Sequence, residues 1–203
     1  MPEKQEKKER RGAWGWPRTK WLLGIPIGGF LAFVVGAGAM LGTGAAIEAT
    51  GTDAFCGTAC HSHEEFIYPE WKQSVHYSNR SGVRAGCADC HIPKEYPDKL
   101  IVKTKQGIRD GYHEFVLGSI STREKFEARR LEMAERVWEE MRANDSRACR
   151  GCHNVESFTG QTGRAERMHR RMETGDTTCI DCHVGVAHLD PDDAARKYPS
   201  AND

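Results

Sequence analysis

No cysteine in this chain stands outside one of four short motifs, and no charge interrupts residues 21–47. Residues 48–203 are polar and short of large aliphatic side chains, so that segment has little to build an apolar core from. Net charge is zero, with 29 cations against 29 anions, which leaves no overall basic excess for nucleic acid. Each lack narrows the field. Without spare thiols there is no separate disulfide framework or redox pair. Without a protein core, something else must fill the interior of the exported segment.

The cysteines that are present make a pattern. Cys87 and Cys90 with His91, Cys149 and Cys152 with His153, and Cys179 and Cys182 with His183 each read C-x-x-C-H. Cys56 and Cys60 with His61 are the same motif with one extra residue. A thiol pair at this spacing can form two thioether bonds to one haem, and the adjoining His supplies an axial iron ligand. Paired knuckles can also hold zinc, but zinc does not require His directly after the second Cys in all four cases. Disulfides at this spacing would close only tiny loops and constrain little of the chain. Eight cysteines in four motifs with no remainder therefore point to four covalently bound haem c groups. The haems then serve as the core of residues 48–203, packed closely enough for electrons to pass between irons.

Residues 21–47 read as an uncleaved transmembrane helix. As a helix these 27 residues span about 40 Å, more than a ~30 Å hydrocarbon core needs. A cleaved signal peptide has a shorter apolar region of ~7–15 residues. Residues 1–20 hold seven cations against three glutamates, a balance of +4, which places them in the cytoplasm by the positive-inside rule. Residues 48–203 then lie in the bacterial periplasm, on the outer face of the inner membrane.

The motifs repeat. His61 to His91 and His153 to His183 are both 30 residues, and each interval holds one further histidine, His76 or His169. The expected fold is mainly α, with a helical tetrahaem domain built from two dihaem repeats at about 52–95 and 145–190. Two helices join the halves. One covers residues 97–117. The other follows the capping-box pattern Ser121, Thr122, Arg123, Glu124 and runs to about Ala143. On it Phe126, Met133, Ala134, Val137, Trp138 and Met141 share a face. The segment after Leu189, with Asp190, Asp192 and Asp193, reads as a solvated end.

Nine histidines are present, and five lie outside the motif positions: His63, His76, His113, His169 and His188. Four irons each want a second axial ligand, and imidazole binds iron well. His76, His169 and His188 are the expected distal ligands. If the halves interlock, His76 serves the third haem, His169 the first or a near neighbour, and His188 the second. At the first motif, either His61 or His63 can face the iron. Bis-His ligation gives lower potentials than His/Met ligation. Low potentials suit a chain that takes electrons from quinols.

The chain resembles the NapC/NirT/NrfH family of membrane-anchored multihaem quinol dehydrogenases, and its NapC branch most. The resemblance covers nearly the whole chain. It is carried by the anchor, Tyr68 to Glu70, His76 to Arg84, Thr122 to Glu127, Ala143 to Arg147 and Cys179 to His188. It implies oxidation of membrane quinol and delivery of electrons to a periplasmic reductase, nitrate reductase first. Nitrite and trimethylamine N-oxide reductases are the alternatives, as is reverse flow from a periplasmic oxidase into the quinone pool. A haem-based sensor or anchor is the alternative of another class, although no signalling domain accompanies the motifs. The implied partners are quinol, the reductase and the bilayer, with self-association open. The resemblance also implies a quinol site near the first haem with a Lys and an Asp seven residues apart, which Lys103 and Asp110 match. His113, one turn further, can join them. Two departures concern ligation. His63 stands where the family usually has Met, and Lys94 stands three residues after His91 where some relatives carry a ligand His. One haem therefore lacks a ligand from its own chain, or takes neutral Lys94 or His113.

Overall fold

The computed structural model describes residues 21–22, 25–175 and 177–198. The basic residues 1–20 lie outside that range. The described residues fall into two compact units that divide between Ala46 and Ile47.

In the first unit, the two-residue strands β1 (Trp21–Leu22) and β2 (Ile25–Pro26) pair antiparallel. Helix α1 follows, spanning Ile27–Ala49. The helix expected over residues 21–47 thus begins six residues late and ends two residues later. The late start has a plain cause: Pro26 has no N–H to donate within a helix and suits the boundary just before one. With 23 residues and a mean hydropathy of 1.9, α1 is long and apolar enough to cross a membrane by length and composition.

The second unit is helical. It contains α2 (Asp53–Thr58), a π turn at His63–Ile67, α3 (Tyr68–Lys72), α4 (Cys87–His91) and α5 (Asp98–Gly111). A second π turn at Tyr112–Val116 extends α5, and α6 (Arg123–Ala143) returns along the unit. The rest is α7 (Arg147–Arg150), α8 (Gly163–Glu173), 3-10 turns at Val155–Ser157 and Cys179–Asp181, and α9 (Pro191–Lys197).

The start of α6 lies one residue beyond the expected cap. Thr122 Oγ1 accepts from the Lys125 N–H, while the Ser121 hydroxyl donates to the Gly118 carbonyl and is thereby engaged. The segment after Leu189 keeps Asp192 and Asp193 exposed, as expected of a solvated end, but it is folded as a helix. Asp190 caps α9, Ala194 is fully buried, and the Arg123 guanidinium lies 4.1 Å from the Tyr198 ring centroid.

The apolar core is small. Phe66, Ile120 and Phe126 form its buried cluster, with Ile67 and Met133 packed against them. Trp71 makes a second island, stacked on Tyr68 at 5.4 Å and meeting Tyr77 edge-on.

Candidate functional site

Each motif is held by a local device. Gly57, inside the first motif, lies against the Tyr68 ring; a Cβ there would stand 2.3 Å from Tyr68 Cδ2, so only glycine allows the approach. Asp53 Oδ1, in α2, accepts the Cys87 N–H at 2.9 Å and so caps the second motif from the first. In motifs two and four an aspartate between the cysteines reaches back to the backbone. Asp89 accepts from the Gly86 N–H at 2.9 Å, and Asp181 from the Thr178 N–H at 2.7 Å. Arg142 of α6 also binds Asp181, at 2.7 Å.

The motifs follow one another in space. Motif one reaches motif two through the Asp53–Cys87 bond, and the Ile180 N–H of motif four donates to Ser146 Oγ at 3.3 Å, beside motif three. Helix α4, which holds motif two, packs against α7, which carries Cys149 of motif three. Motif one therefore meets two, two meets three, and three meets four.

The histidines meet in pairs. His76 and His153 have ring centroids 6.2 Å apart, His91 and His188 6.3 Å, and His169 and His183 6.2 Å. This separation tests whether the residues fit a haem iron. Two imidazoles each bound at ~2 Å through a ring nitrogen to one metal have centroids roughly 6.3 Å apart. The three pairs fit. Each joins a motif histidine to one outside the motifs. A cavity of about 330 Å³ lies beside His153 and His169, lined also by Arg150, Val155 and Met172. Among the described residues no three His, Cys, Asp or Glu side chains converge as a metal site of the zinc kind.

The outer nitrogens are set as axial ligands require. The Nδ1–H of His76 donates to the Val186 carbonyl at 3.1 Å, and that of His169 to Gln161 Oε1, so in both rings Nε2 keeps its lone pair. Burial pushes the His188 pKa down to about 3 and lowers that of His91, which keeps both rings neutral. Nδ1 of His188 is buried without a hydrogen-bond partner.

His76 thus reaches from the first half to the third motif, and His188 from the second half to the second motif. His169 does not cross. It turns to His183 within its own half, because α8 and the fourth motif are joined by a short connection.

At the first motif the two histidines differ. His61 is exposed; its Nε2–H donates to the Ser121 carbonyl at 2.9 Å, and its Nδ1 lies 3.2 Å from Glu65. His63 donates its Nδ1–H to the Cys56 carbonyl at 2.9 Å, which leaves Nε2 free. Lys94 is not drawn to a histidine. It is exposed and lies 3.8 Å from Asp89. His113 Nδ1 accepts from the Arg129 guanidinium at 2.9 Å, because arginine can only donate.

Lys103 and Asp110 occupy one side of α5, facing the first two motifs. Lys103 Nζ donates to the Ile47 carbonyl at 2.6 Å, and burial lowers its pKa from 10.5. Asp110 acts electrostatically on Cys60 and His91. It also lies 3.3 Å from Arg109.

Four buried or half-buried residues were given no role by the sequence reading. Arg130 and Glu70 form a buried pair at 2.8 Å, joined by Glu127 at 2.6 Å. Glu70 also accepts the Leu189 N–H at 3.0 Å, and Arg130 donates to the Leu189 carbonyl at 3.1 Å, so the pair grips the chain next to His188. A signal for Arg130 was present: it lies between Phe126 and Met133 on the apolar face of α6, where a cation demands a partner. Glu114 is also buried. Its Oε1 accepts the Ser62 N–H at 3.2 Å under the first motif, and its Oε2 has no partner.

Thiol pairs each followed by histidine, with imidazoles meeting two by two at a metal-spanning separation, define a c-type cytochrome. The chain belongs to the NapC/NirT cytochrome c family, whose N-terminal region matches residues 18–193. Membership carries covalently bound haem c with it. The cytochrome c-type protein TorY of Escherichia coli O157:H7 is 46% identical over 164 residues, covering 80% of this chain and 44% of TorY. The chain thus spans less than half of TorY. The denitrification system component NirT of Stutzerimonas stutzeri is 44% identical over 87% of this chain and 86% of NirT. The cytochrome c-type protein NapC of Paracoccus pantotrophus is 42% identical over 88% of this chain and 80% of NapC. No solved structure matches.

Proposed function

We propose that this chain is a membrane-anchored tetrahaem quinol dehydrogenase. It takes electrons from membrane quinol at its first motif and passes them along motifs two, three and four to a periplasmic reductase. Its anchor is α1, with residues 1–20 in the cytoplasm and the second unit in the periplasm. The observation that carries the reading is the succession of motifs, each packed against the next, combined with three facing histidine pairs.

The haems, when bound, supply one-electron carriers. Cys56 and Cys60, Cys87 and Cys90, Cys149 and Cys152, and Cys179 and Cys182 hold one each. His91 with His188, His153 with His76, and His183 with His169 would hold the irons of the second, third and fourth haems. His63 rather than His61 is the axial residue of the first motif, because only His63 keeps a free Nε2. The quinol site lies at Lys103 and Asp110. Lys103 binds a quinol oxygen through its ammonium, and Asp110 takes a proton as the quinol is oxidised. Lys94 and His113 are left out of the ligand set, the first held at Asp89 and the second at Arg129.

The terminal partner to test first is nitrate reductase, with nitrite and trimethylamine N-oxide reductases beside it. The decisive measurement is reduction of the cytochrome by a quinol analogue in membranes, with purified reductases added one at a time. Reoxidation by one reductase alone identifies the partner. No reduction by quinol removes the function and returns the sensor reading. Haem potentials above the quinone couple support the proposed direction, and potentials below it favour reverse flow.

A further inference from the structure

Helix α5 and the π turn after it have two unlike faces. Val102, Lys103, Gln106, Arg109 and Asp110 are half-buried on the side toward the first two motifs. The opposite side carries Ile101, Ile108, Tyr112, Phe115 and Val116, which are 58%, 70%, 51%, 73% and 68% exposed. These positions recur at helical spacing and share one arc of the helix. Five large apolar side chains on the outer face of α5 and its π extension form a stripe interrupted by Lys105, an exposed patch that a protein in water rarely leaves uncovered.

We propose that this stripe is a second membrane contact: α5 and its π extension lie in the lipid headgroup region, apolar face down. The inference rests on the anchoring role proposed for α1. Two observations select lipid as the occupant. First, α5 is fastened to the residues that close the apolar run. Lys103 Nζ donates to the Ile47 carbonyl at 2.6 Å, and Lys99 is ion-paired with Glu48. Ile101 lies between those two lysines, about 3 Å along the axis from each. The turn of α5 that carries Ile101 is thus tied to the end of the apolar run, with Ile101 on the face away from the two lysines. Second, the chemistry is that of an interfacial helix. Apolar residues and a tyrosine fill most of one face, and Lys105, one turn from both Ile101 and Ile108, stands among them as a cation complementary to anionic headgroups. The consequence is functional. A helix seated this way turns Lys103 and Asp110 inward at headgroup depth, where a lipid-soluble quinol arrives.

The test uses the full-length holoprotein in vesicles of phosphatidylcholine and phosphatidylglycerol. The native cysteines are engaged as thioethers, so one introduced thiol accepts a nitroxide label. Labels go at Ile108→Cys and Phe115→Cys, at Val35→Cys in α1, and at Glu139→Cys on the exposed side of α6. An unchanged haem spectrum checks that each variant folds. At 108 and 115 we expect collision with oxygen to exceed collision with a water-soluble nickel complex several-fold, as at 35, with the order reversed at 139. If 108 and 115 behave like 139 while 35 remains lipid-like, the anchor stands and this inference falls. Shielding of 108 and 115 from both reagents means that protein covers the stripe and also overturns it. A water-exposed 35 sinks the anchor, and this inference with it.

Discussion

His76 and His153 face each other at 6.2 Å with their ring planes 80° apart, although they come from opposite halves of the chain. The contact is held from behind, because the Nδ1–H of His76 donates to Val186, just beyond the fourth motif. Removing the His76 ring should therefore strip one axial ligand without disturbing the third motif itself. His76→Ala is expected to convert one low-spin haem to high spin in the electron paramagnetic resonance spectrum. An unchanged low-spin signal would strike His76 from the ligand set.

Four haems on an uncleaved chain make a statement about mass. The purified protein should exceed the polypeptide mass of 22.7 kDa by four haems. Replacing Cys87 and Cys90 together by Ser should lower it by one. A mature chain starting near Ala46, or bound zinc in place of haem, contradicts the assignment.

The quinol site can be tested through proton traffic. Asp110→Asn should slow quinol-driven reduction strongly while dithionite still reduces every haem. Lys103 must be protonated to hold the quinol oxygen, and burial lowers its pKa from 10.5. Because the shift is downward, the ammonium is lost sooner as pH rises. The rate should then fall along an alkaline limb that begins below pH 10.5, and Lys103→Arg should move that limb upward. A limb that does not move in the arginine variant removes Lys103 from the site.

The buried clamp of Glu70 and Arg130 should matter for stability and for ligation alike. Their side chains are only 3% and 6% exposed. Glu70→Ala leaves the Arg130 charge short of a partner in the interior, at a cost of about 3–5 kcal/mol. It also frees Leu189, the neighbour of His188. The expected result is a lower thermal midpoint together with a perturbed low-spin signal from the haem held by His91. Changing both Glu70→Gln and Arg130→Met should recover part of the midpoint, since the unpaired cation is gone and Glu127 keeps its contact with Arg123 at 3.4 Å. Equal losses in the single and double variants would argue against the clamp.

Reading the chain by itself went furthest where the chemistry is local. A haem-attachment motif is complete within five or six residues, so the four motifs were legible from spacing alone. An apolar run, a capping threonine and the face of a long helix are likewise properties of neighbouring residues, and α1, α5 and α6 follow from them to within a few positions. What neighbours could not decide was which ring meets which. Interlocking halves put His76 at the third motif and His188 at the second, yet His169 stays with His183. The contacts that distinguish His61 from His63 are with carbonyls at Ser121 and Cys56, one of them far along the chain. The grip of Glu70 and Arg130 on Leu189, and the contact of Arg123 with Tyr198 at the end of α9, also join distant segments. In a domain with so little apolar core, these long-range polar contacts set the geometry, and sequence spacing carries no record of them.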